Sequence, residues 1–279
     1  AGAWTVVRPV AQAVPALGAA AIASGLLLNW KTRAERVRAE ERAEPGAAAA
    51  EAAPARELPR HPAGLRFLHW FNAASWALLL VTGVALFSAA GFALFGERFP
   101  AWLAAAAGGA DALLRLHAGW GLLWAAVIVP MFLLFKGGVR HVWADVRPTR
   151  DDLAWLARKP LAMLGRAARP LPPQDKYNAG QKVFALFVVA ATATIVGTGL
   201  VMTFHLGSAA LVAAAVVVHG ATVALTLAGV GVHFTMAAVL ADERPALRSM
   251  FTGRIDAEHA RAHCAKWAAS VAPHEENRK

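Results

Sequence analysis

The hydrophobic positions of this chain gather into long uninterrupted runs, and charged or proline-rich segments separate one run from the next. A helix that crosses a bilayer needs about 20 predominantly apolar residues, so a run of that length predicts a membrane-spanning helix. Five runs are long enough, at residues 10–30, 65–88, 112–135, 182–204 and 209–240. The pattern therefore predicts an all-α integral membrane protein, in which an extra N-terminal helix precedes a transmembrane bundle of four helices.

The polar stretches between the runs divide the chain into parts. We predict an N-terminal transmembrane helix at 1–30, a linker at 31–64, a four-helix core at 65–240 that contains a loop at 136–181, and a tail at 241–279. The linker is rich in Ala, Glu and Arg and is interrupted by Pro45 and Pro54, which is typical of a mobile or loosely helical segment. The chemistry of the chain is expected in the core.

Composition supports a membrane protein and excludes several other classes. Hydrophobic residues make up 57% of the chain, charged residues make up 16%, and the mean hydropathy is +0.44. A single cysteine, Cys264, excludes a disulfide framework and a cysteine-held zinc or iron–sulfur cluster, and a small apolar filler is its expected role. The net charge of +10 comes from residues that flank the apolar runs rather than from one basic face, so nucleic-acid binding is not expected.

The positions of the basic residues predict the orientation in the membrane. Of the 28 Lys and Arg residues, 25 lie in alternate segments, at residues 31–66, 136–182 and 241–279. The positive-inside rule places those three segments in the cytoplasm, with the N-terminus outside and the C-terminus cytoplasmic. An N-terminus outside the inner membrane agrees with a signal peptide removed upstream of Ala1, although an uncleaved signal anchor is the alternative.

Four histidines lie within the predicted spans, where ionisable side chains are costly and mark functional sites. They are His69, His117, His219 and His233. The last two are fourteen positions apart in one helix, or about four turns, so both imidazoles face the same side about 21 Å apart. The orientation places His117 and His219 near the outer face and His69 and His233 near the inner face. Two histidine pairs follow, one in each leaflet.

Pairs of imidazoles on facing helices suit iron, and the interior of a helical bundle is where cofactor sites are built. Glycines beside the histidines, such as Gly119 and Gly220, leave room for a porphyrin, although glycine also serves ordinary close packing of helices. The alternative for each histidine is a hydrogen-bonded contact between helices. In the tail, His259 and His263 have metal-ligand spacing but no third ligand in register, so we expect no metal there.

Four sequence elements resemble the gamma subunit of membrane-bound respiratory formate dehydrogenase, a cytochrome b that carries two haems. They are the RFLHW string at residues 66–70, the LHAG string at 116–119, the KYNAGQK string at 176–182, and the His219 and His233 pair. The family has a four-helix core with a cytoplasmic N-terminus, so the additional first span of this chain is a departure. The resemblance extends over residues 65–240.

The resemblance implies a function in electron transfer. Two haem b groups would be held by His117 with His219 on the outer side and by His69 with His233 on the inner side. Asn178 and Gly180 match the residues of the family's quinone site, where menaquinone or ubiquinone is reduced near the cytoplasmic side. The implied partners are an iron–sulfur beta subunit and a catalytic alpha subunit with molybdenum or tungsten, while membrane lipid surrounds the core. The resemblance leaves open a higher-order oligomer of the complex.

Three other interpretations stay open at the level of sequence. The chain could be the cytochrome b subunit of a hydrogenase or of a thiosulfate-type reductase, since these share the haem chemistry. It could instead be a haem-free transporter that uses its histidines as a proton relay, although the cores of the spans hold no Asp or Glu. Asn178 could serve only as the cap of the helix that follows it.

Overall fold

The computed structural model describes residues 57–89, 98–134, 138–164, 166 and 168–276. The predicted first span and most of the linker lie outside the described residues. The elements in chain order are β1 (Glu57–Pro59), α1 (Ala63–Ala89), α2 (Arg98–Ala107), α3 (Ala110–Leu134), α4 (Gly138–Val146), α5 (Arg150–Met163), α6 (Ala179–Thr203), α7 (Ala209–Phe234), a π-helical turn (Thr235–Val239), a 3-10 turn (Ala241–Glu243), α8 (Arg244–Thr252), β2 (Arg254–Asp256), α9 (Ala257–His263) and α10 (Ala265–Glu276).

Among the described residues, four helices are long and apolar enough to cross a membrane, which confirms the predicted four-helix core. They run over Ala63–Phe87, Ala110–Leu134, Ala179–Thr203 and Ala209–Val239, and each overlaps one of the predicted spans. Large apolar side chains stay exposed along them, among them Phe67, Leu114, Leu133 and Leu225. An apolar helix surface of this kind is compatible with the hydrocarbon core of a bilayer rather than with water. The chain is an integral membrane protein.

The chain forms two compact units. The first holds Phe67–His141 and Val188–Ala228, and the second holds Val142–Phe187, Gly229–Lys279 and the segment that precedes Phe67. Helix α3 lies wholly in the first unit, whereas α6 and α7 each have residues in both units. The two units are described separately below.

Within the first unit, α1 and α3 run antiparallel and meet along one face of each helix. The Trp124 indole N–H donates to the Asn72 side-chain oxygen at 2.9 Å, and the Trp76 ring packs edge-on against Trp124. Further along, Leu79 lies against Gly121. On α1 these contacts recur every three or four residues, which is the helical repeat of one face. That face continues toward Thr82 and Gly83.

The second unit joins the end of the linker to the tail. Strand β1 pairs antiparallel with β2, with Leu58 opposite Ile255. These two side chains pack with Ala257, Ala260 and Ala268 into a small core. Sequence patterning did not predict this ribbon, because three-residue strands in a polar segment carry no periodic signal.

A buried ion pair holds the start of α6 in the second unit. The Lys182 ammonium, whose side chain is 3% exposed, donates to Asp152 at 2.9 Å and to Asp175 at 2.8 Å. Asp152 also closes the capping box of α5 by accepting from the Thr149 backbone N–H at 2.7 Å. Burial by itself raises the pKa of Asp152, but the hydrogen bonds from Lys182 and Thr149 outweigh burial and lower it overall.

The linker end is also tied down by Arg60, which is 6% exposed. Its guanidinium donates to the Cys264 sulfur at 3.4 Å and to the Lys176 carbonyl at 2.6 Å. The neighbouring His61 stacks on Tyr177 and is buried. His61 is buried because the tail folds back over it: the Gly253 carbonyl accepts from the His61 backbone N–H at 3.1 Å. The expectation that Cys264 fills buried space is confirmed, since Cys264 is 5% exposed.

Candidate functional site

His117 lies in the first turns of α3 and is held by the facing helix α1. Its Nδ1 atom is 2.8 Å from the Thr82 hydroxyl oxygen. The same hydroxyl donates to the Leu78 carbonyl one turn earlier at 2.9 Å. A hydroxyl has one proton, and with that proton on the carbonyl we assign the Thr82 oxygen as the acceptor of His117 Nδ1–H. The proton is then on Nδ1, and the Nε2 lone pair is available to a metal.

His219 in α7 is held in the same way by α6. Its Nδ1 atom lies 2.9 Å from the Thr198 hydroxyl oxygen, and that hydroxyl donates to the Thr194 carbonyl at 2.7 Å. The Ile195 carbonyl is a further backbone acceptor beside the ring. The same proton count places the hydrogen on Nδ1 and leaves Nε2 free. Two helix pairs thus present two imidazoles in one tautomer.

A glycine lies against each of the two rings. A Cβ atom on Gly83 would lie 3.1 Å from His117 Cε1, and a Cβ atom on Gly199 would lie 3.8 Å from His219 Cε1. Each histidine therefore contacts a Thr–Gly dipeptide: His117 contacts residues 82–83 of α1, and His219 contacts residues 198–199 of α6. His117 and His219 both lie in the first unit.

The other two predicted ligands, His69 and His233, lie in different units. In the first unit, His69 in α1 contacts the edge of the neighbouring Trp70 ring, with the ring centroids 5.1 Å apart. In the second unit, His233 in α7 stacks on Phe184 of α6, with the ring centroids 4.7 Å apart and the planes 10° apart.

Asn178 precedes α6 and forms its N-terminal cap. The Gln181 backbone N–H donates to the Asn178 side-chain oxygen, and the Asn178 backbone N–H donates to the Gln181 side-chain oxygen, both at 3.0 Å. This reciprocal pair is a capping box, and it explains why the helix begins here. The Asn178 amide nitrogen keeps its two protons for another acceptor. Gly180 lies under the Trp155 ring, where a Cβ atom would be 3.7 Å from it.

A cavity of about 120 Å³ adjoins this cap in the second unit. Its polar lining comes from Arg60, Gln174, Asn178, Gln181, His259 and His263. Since one water molecule occupies about 30 Å³ in the liquid, the cavity has room for about four waters. The amide groups at the start of α6 and the two tail histidines therefore face one polar space.

The two tail histidines stack on each other with their ring centroids 4.2 Å apart, as their spacing of four residues predicts. Burial lowers the pKa of His259 from 6.5 to about 4, and the nearby charges of His263 and Arg60 lower it further, whereas Asp256 acts in the opposite direction. An unfolded tail therefore takes up a proton at His259 before the folded tail does. The stability that His259 contributes is present at neutral pH and is lost as the pH falls from 6.5 toward 4.

We expect the tail to open more readily at pH 5 than at pH 7. Hydrogen exchange of residues 254–276 measures this after correction for the intrinsic rate at each pH. His259→Gln should remove much of the pH dependence, because glutamine does not titrate. An equal pH dependence in His259→Gln would assign the effect to another group.

His117 and His219 share a feature of metal-ligating histidines. Each Nδ1 atom contacts a threonine hydroxyl of a neighbouring helix, and a hydrogen bond at Nδ1 is what orients a metal-ligating imidazole. The indole nitrogen of Trp120, one turn after His117, is buried, and so is the hydroxyl of Ser75, about two turns before Thr82 on α1. Neither atom has a protein hydrogen-bond partner within the described ranges. A polar cofactor edge is one partner that such atoms can take.

The glycines beside the histidines do not all leave open space, as the expected room for a porphyrin would require. A Cβ atom on Gly220 would clash with the Phe87 ring, and one on Gly229 would lie 3.2 Å from Phe184. Both glycines therefore allow aromatic side chains to pack closely. Gly119 meets no atom within 4 Å of its Cβ position.

A family model described as prokaryotic cytochrome b561 matches residues 60–253, which is more than half of the chain. The chain belongs to the prokaryotic cytochrome b561 family. This cytochrome b is also similar to the formate dehydrogenase cytochrome b556 subunit of Haemophilus influenzae. The two are 25% identical over 214 residues, which cover 75% of this chain and 81% of that protein. The resemblance stated from the sequence motifs is thereby confirmed.

Membership in this family decides between the broad classes that the sequence left open. The chain is a membrane cytochrome b of the respiratory type, and haem b is the cofactor of the family. A haem-free histidine relay is disfavoured, and an electron-transfer subunit of an oxidoreductase complex is supported.

Sequence reasoning on this cytochrome missed the two threonines. Thr82 and Thr198 are ordinary residues of apolar helices, and their role depends on which side chain faces them. The signal that could have found them is the Thr–Gly dipeptide, which occurs in the second half of α1 and again in the second half of α6. Each of these helices faces the one that carries an outer histidine.

Proposed function

We propose that this chain is the cytochrome b subunit of a formate dehydrogenase, which passes electrons from an iron–sulfur partner subunit to a quinone. The catalytic partner with molybdenum or tungsten would oxidise formate outside this chain. The family match and the named relative support the assignment. The observation that carries it is the pair of threonine contacts, in which the Nδ1 atoms of His117 and His219 each lie within hydrogen-bond distance of a hydroxyl on a neighbouring helix.

The chain would hold two haem b groups. His117 with His219 would ligate the outer one, and His69 with His233 would ligate the inner one. For the outer pair the support is the geometry of the two threonine contacts, and for the inner pair it is the membrane depth derived from the sequence. A bound haem b transfers one electron at a time between its neighbours. The histidines would hold the two groups in line between the membrane faces.

The chain would lie in the bacterial inner membrane with a periplasmic N-terminus and a cytoplasmic C-terminus. The distribution of Lys and Arg supports this orientation, since the segments between the spans alternate between many and few basic residues. The outer haem would then be on the periplasmic side, where the iron–sulfur partner docks, and the quinone would be reduced near the cytoplasmic side.

Asn178 and Gly180 would form part of the quinone site, with menaquinone or ubiquinone as the substrate. The Asn178 amide donates a hydrogen bond to a quinone carbonyl while its side-chain oxygen keeps the helix cap. Gly180 leaves space next to Trp155. Water in the adjoining cavity gives this site a route for proton uptake.

The first test counts haem in the purified chain. We expect a reduced-minus-oxidised spectrum of the b type and two haems for each polypeptide in a pyridine haemochrome assay. Co-purification of a formate-oxidising subunit supports the donor, whereas co-purification of a hydrogenase or a thiosulfate-type reductase subunit would reassign it. A folded chain without haem contradicts the proposal.

The second test separates the cap from the quinone contact. Asn178→Asp keeps an oxygen for the cap and removes the amide donor, so we expect both haems to stay and quinone reduction to slow by about tenfold, the value of one hydrogen bond of about 1.4 kcal/mol. Stopped-flow reoxidation of the reduced haems by a short-chain quinone measures the rate in the complex.

The neighbouring Gln174 offers a matched control, since its side-chain oxygen accepts from the Ala179 backbone N–H at 2.7 Å. Gln174→Glu keeps that acceptor and makes the same amide-to-carboxylate change five residues before α6 begins. An unchanged rate in Asn178→Asp, or an equal loss in both variants, would remove Asn178 from the quinone site. Loss of a haem in Asn178→Asp would make its role structural.

A further inference from the structure

Two threonines of the membrane-spanning helices lie within hydrogen-bond distance of histidines, in addition to their hydrogen bonds to carbonyls of their own helices. Thr82 is 2% exposed, and its oxygen lies 2.8 Å from His117 Nδ1. Thr198 is half-buried, with its oxygen 2.9 Å from His219 Nδ1. Threonine in a helix commonly bonds the carbonyl one turn earlier, and both residues do so. The contact with the histidine is additional, and it crosses between helices.

The direction of these hydrogen bonds follows from counting protons. Each hydroxyl proton lies between two carbonyls of its own helix, since Thr82 also reaches the Leu79 carbonyl at 3.2 Å and Thr198 also reaches the Ile195 carbonyl at 3.1 Å. The hydroxyl oxygen is left as an acceptor only. An imidazole that faces it forms a hydrogen bond only with a proton on Nδ1, so each threonine selects one tautomer and one ring orientation.

We propose that Thr82 and Thr198 are positioning residues that hold His117 and His219 as iron ligands and set the reduction potential of the outer haem. The inference rests on the proposed function, because it takes these two histidines as the axial ligands. A hydrogen bond accepted from Nδ1–H makes the imidazole a more basic ligand through Nε2. A more basic ligand stabilises ferric over ferrous iron, so the two threonines lower the potential of this haem.

The two histidines differ in the groups that surround them. His117 has the Thr82 hydroxyl as its acceptor and Gly83 against its ring, where a Cβ atom would come within 3.1 Å. His219 has the Ile195 carbonyl beside it as a second acceptor. Removal of the Thr82 hydroxyl should therefore have a larger effect than removal of the Thr198 hydroxyl.

The experiment is an equilibrium redox titration of the intact complex, in which each haem is followed by its visible spectrum and by the low-temperature EPR signal of its ferric form. Thr82→Val keeps the shape of the side chain and removes the hydroxyl. We expect the ferric-over-ferrous preference of the outer haem to fall by about threefold to tenfold, which raises its potential by up to about 59 mV. Thr198→Val should give a smaller rise in the same haem, and the inner haem should not change.

Two further variants make the result specific. Thr82→Ser restores the hydroxyl and should return the potential and the EPR signal toward those of the wild type. Thr194→Val removes a hydroxyl that donates to the Ala190 carbonyl of its own helix at 3.0 Å, and it should leave both haems unchanged. If Thr82→Val loses the outer haem while Thr82→Ser keeps it, the positioning role is supported through ligand affinity instead.

Two outcomes would overturn the inference. One is an unchanged potential and EPR signal in Thr82→Val, and the other is an equal change in Thr82→Val and Thr82→Ser, which would assign the effect to packing. Failure of the proposed function appears differently, since a wild-type chain without haem, or one whose outer haem survives loss of both His117 and His219, refutes the ligand assignment before any threonine is changed.

Discussion

His117→Ala should leave this cytochrome with one haem instead of two and should abolish electron transfer from formate to quinone. The alanine removes one of two axial ligands, and His219 alone, from a single helix, does not orient the group across the bundle. The pyridine haemochrome assay should give half the wild-type haem content. The haem that remains should keep its potential, because its proposed ligands, His69 and His233, are unchanged.

A histidine outside the proposed sites provides the matched control. His205 is exposed in the turn between α6 and α7, and its backbone φ of 49° lies in the left-handed region. Asparagine tolerates that region better than most residues, so His205→Asn removes an imidazole without strain. We expect it to keep both haems. Full haem content in His117→Ala, or a loss of haem in His205→Asn as large as in His117→Ala, would contradict the assigned outer pair.

Lys182→Met should destabilise the second unit by about 3–5 kcal/mol, which is the cost of removing one partner from a buried ion pair. The substitution leaves the Asp152 carboxylate, whose side chain is 4% exposed, without its cation. Asp175 is much less affected because its side chain is 41% exposed and reaches water. Asp152 also caps α5, so the effect should extend to that helix.

The single cysteine makes this measurable in the folded protein. Cys264 is 5% exposed and lies in the same unit, so a thiol reagent reacts with it only when the unit opens. In Lys182→Met we expect the labelling rate to rise by at least about a hundredfold, since about 1.4 kcal/mol corresponds to a factor of ten.

Two variants test the reason for this effect. Lys176→Met breaks the more exposed pair with Asp145, at 3.3 Å, and should cost less than about 1 kcal/mol. Lys182→Met combined with Asp152→Asn removes the unpaired charge and should recover much of the stability. If Lys176→Met were as damaging as Lys182→Met, or if the double variant were no better than the single one, burial of Asp152 would not be the cause.

The predicted and observed elements agree best where the signal is local. The four spans of the core follow from runs of about 20 apolar residues, and the structure places a helix on each. The capping role weighed for Asn178 is present because a cap depends on residues three positions apart. The paired strands Glu57–Pro59 and Arg254–Asp256 were not predicted, since they join segments almost two hundred residues apart.

The sequence by itself determined the membrane class and the number of spans in the core, and it predicted the relative depth of the four histidines. These depend on helix length, hydrophobicity and charge, which are properties of contiguous residues. Only the tertiary structure decided that Thr82 and Thr198 meet the two outer imidazoles, and that Lys182 is buried between two carboxylates. Such contacts depend on the rotation of each helix about its axis, which is set by side-chain packing against its neighbours and carries no signature in the helix's own sequence.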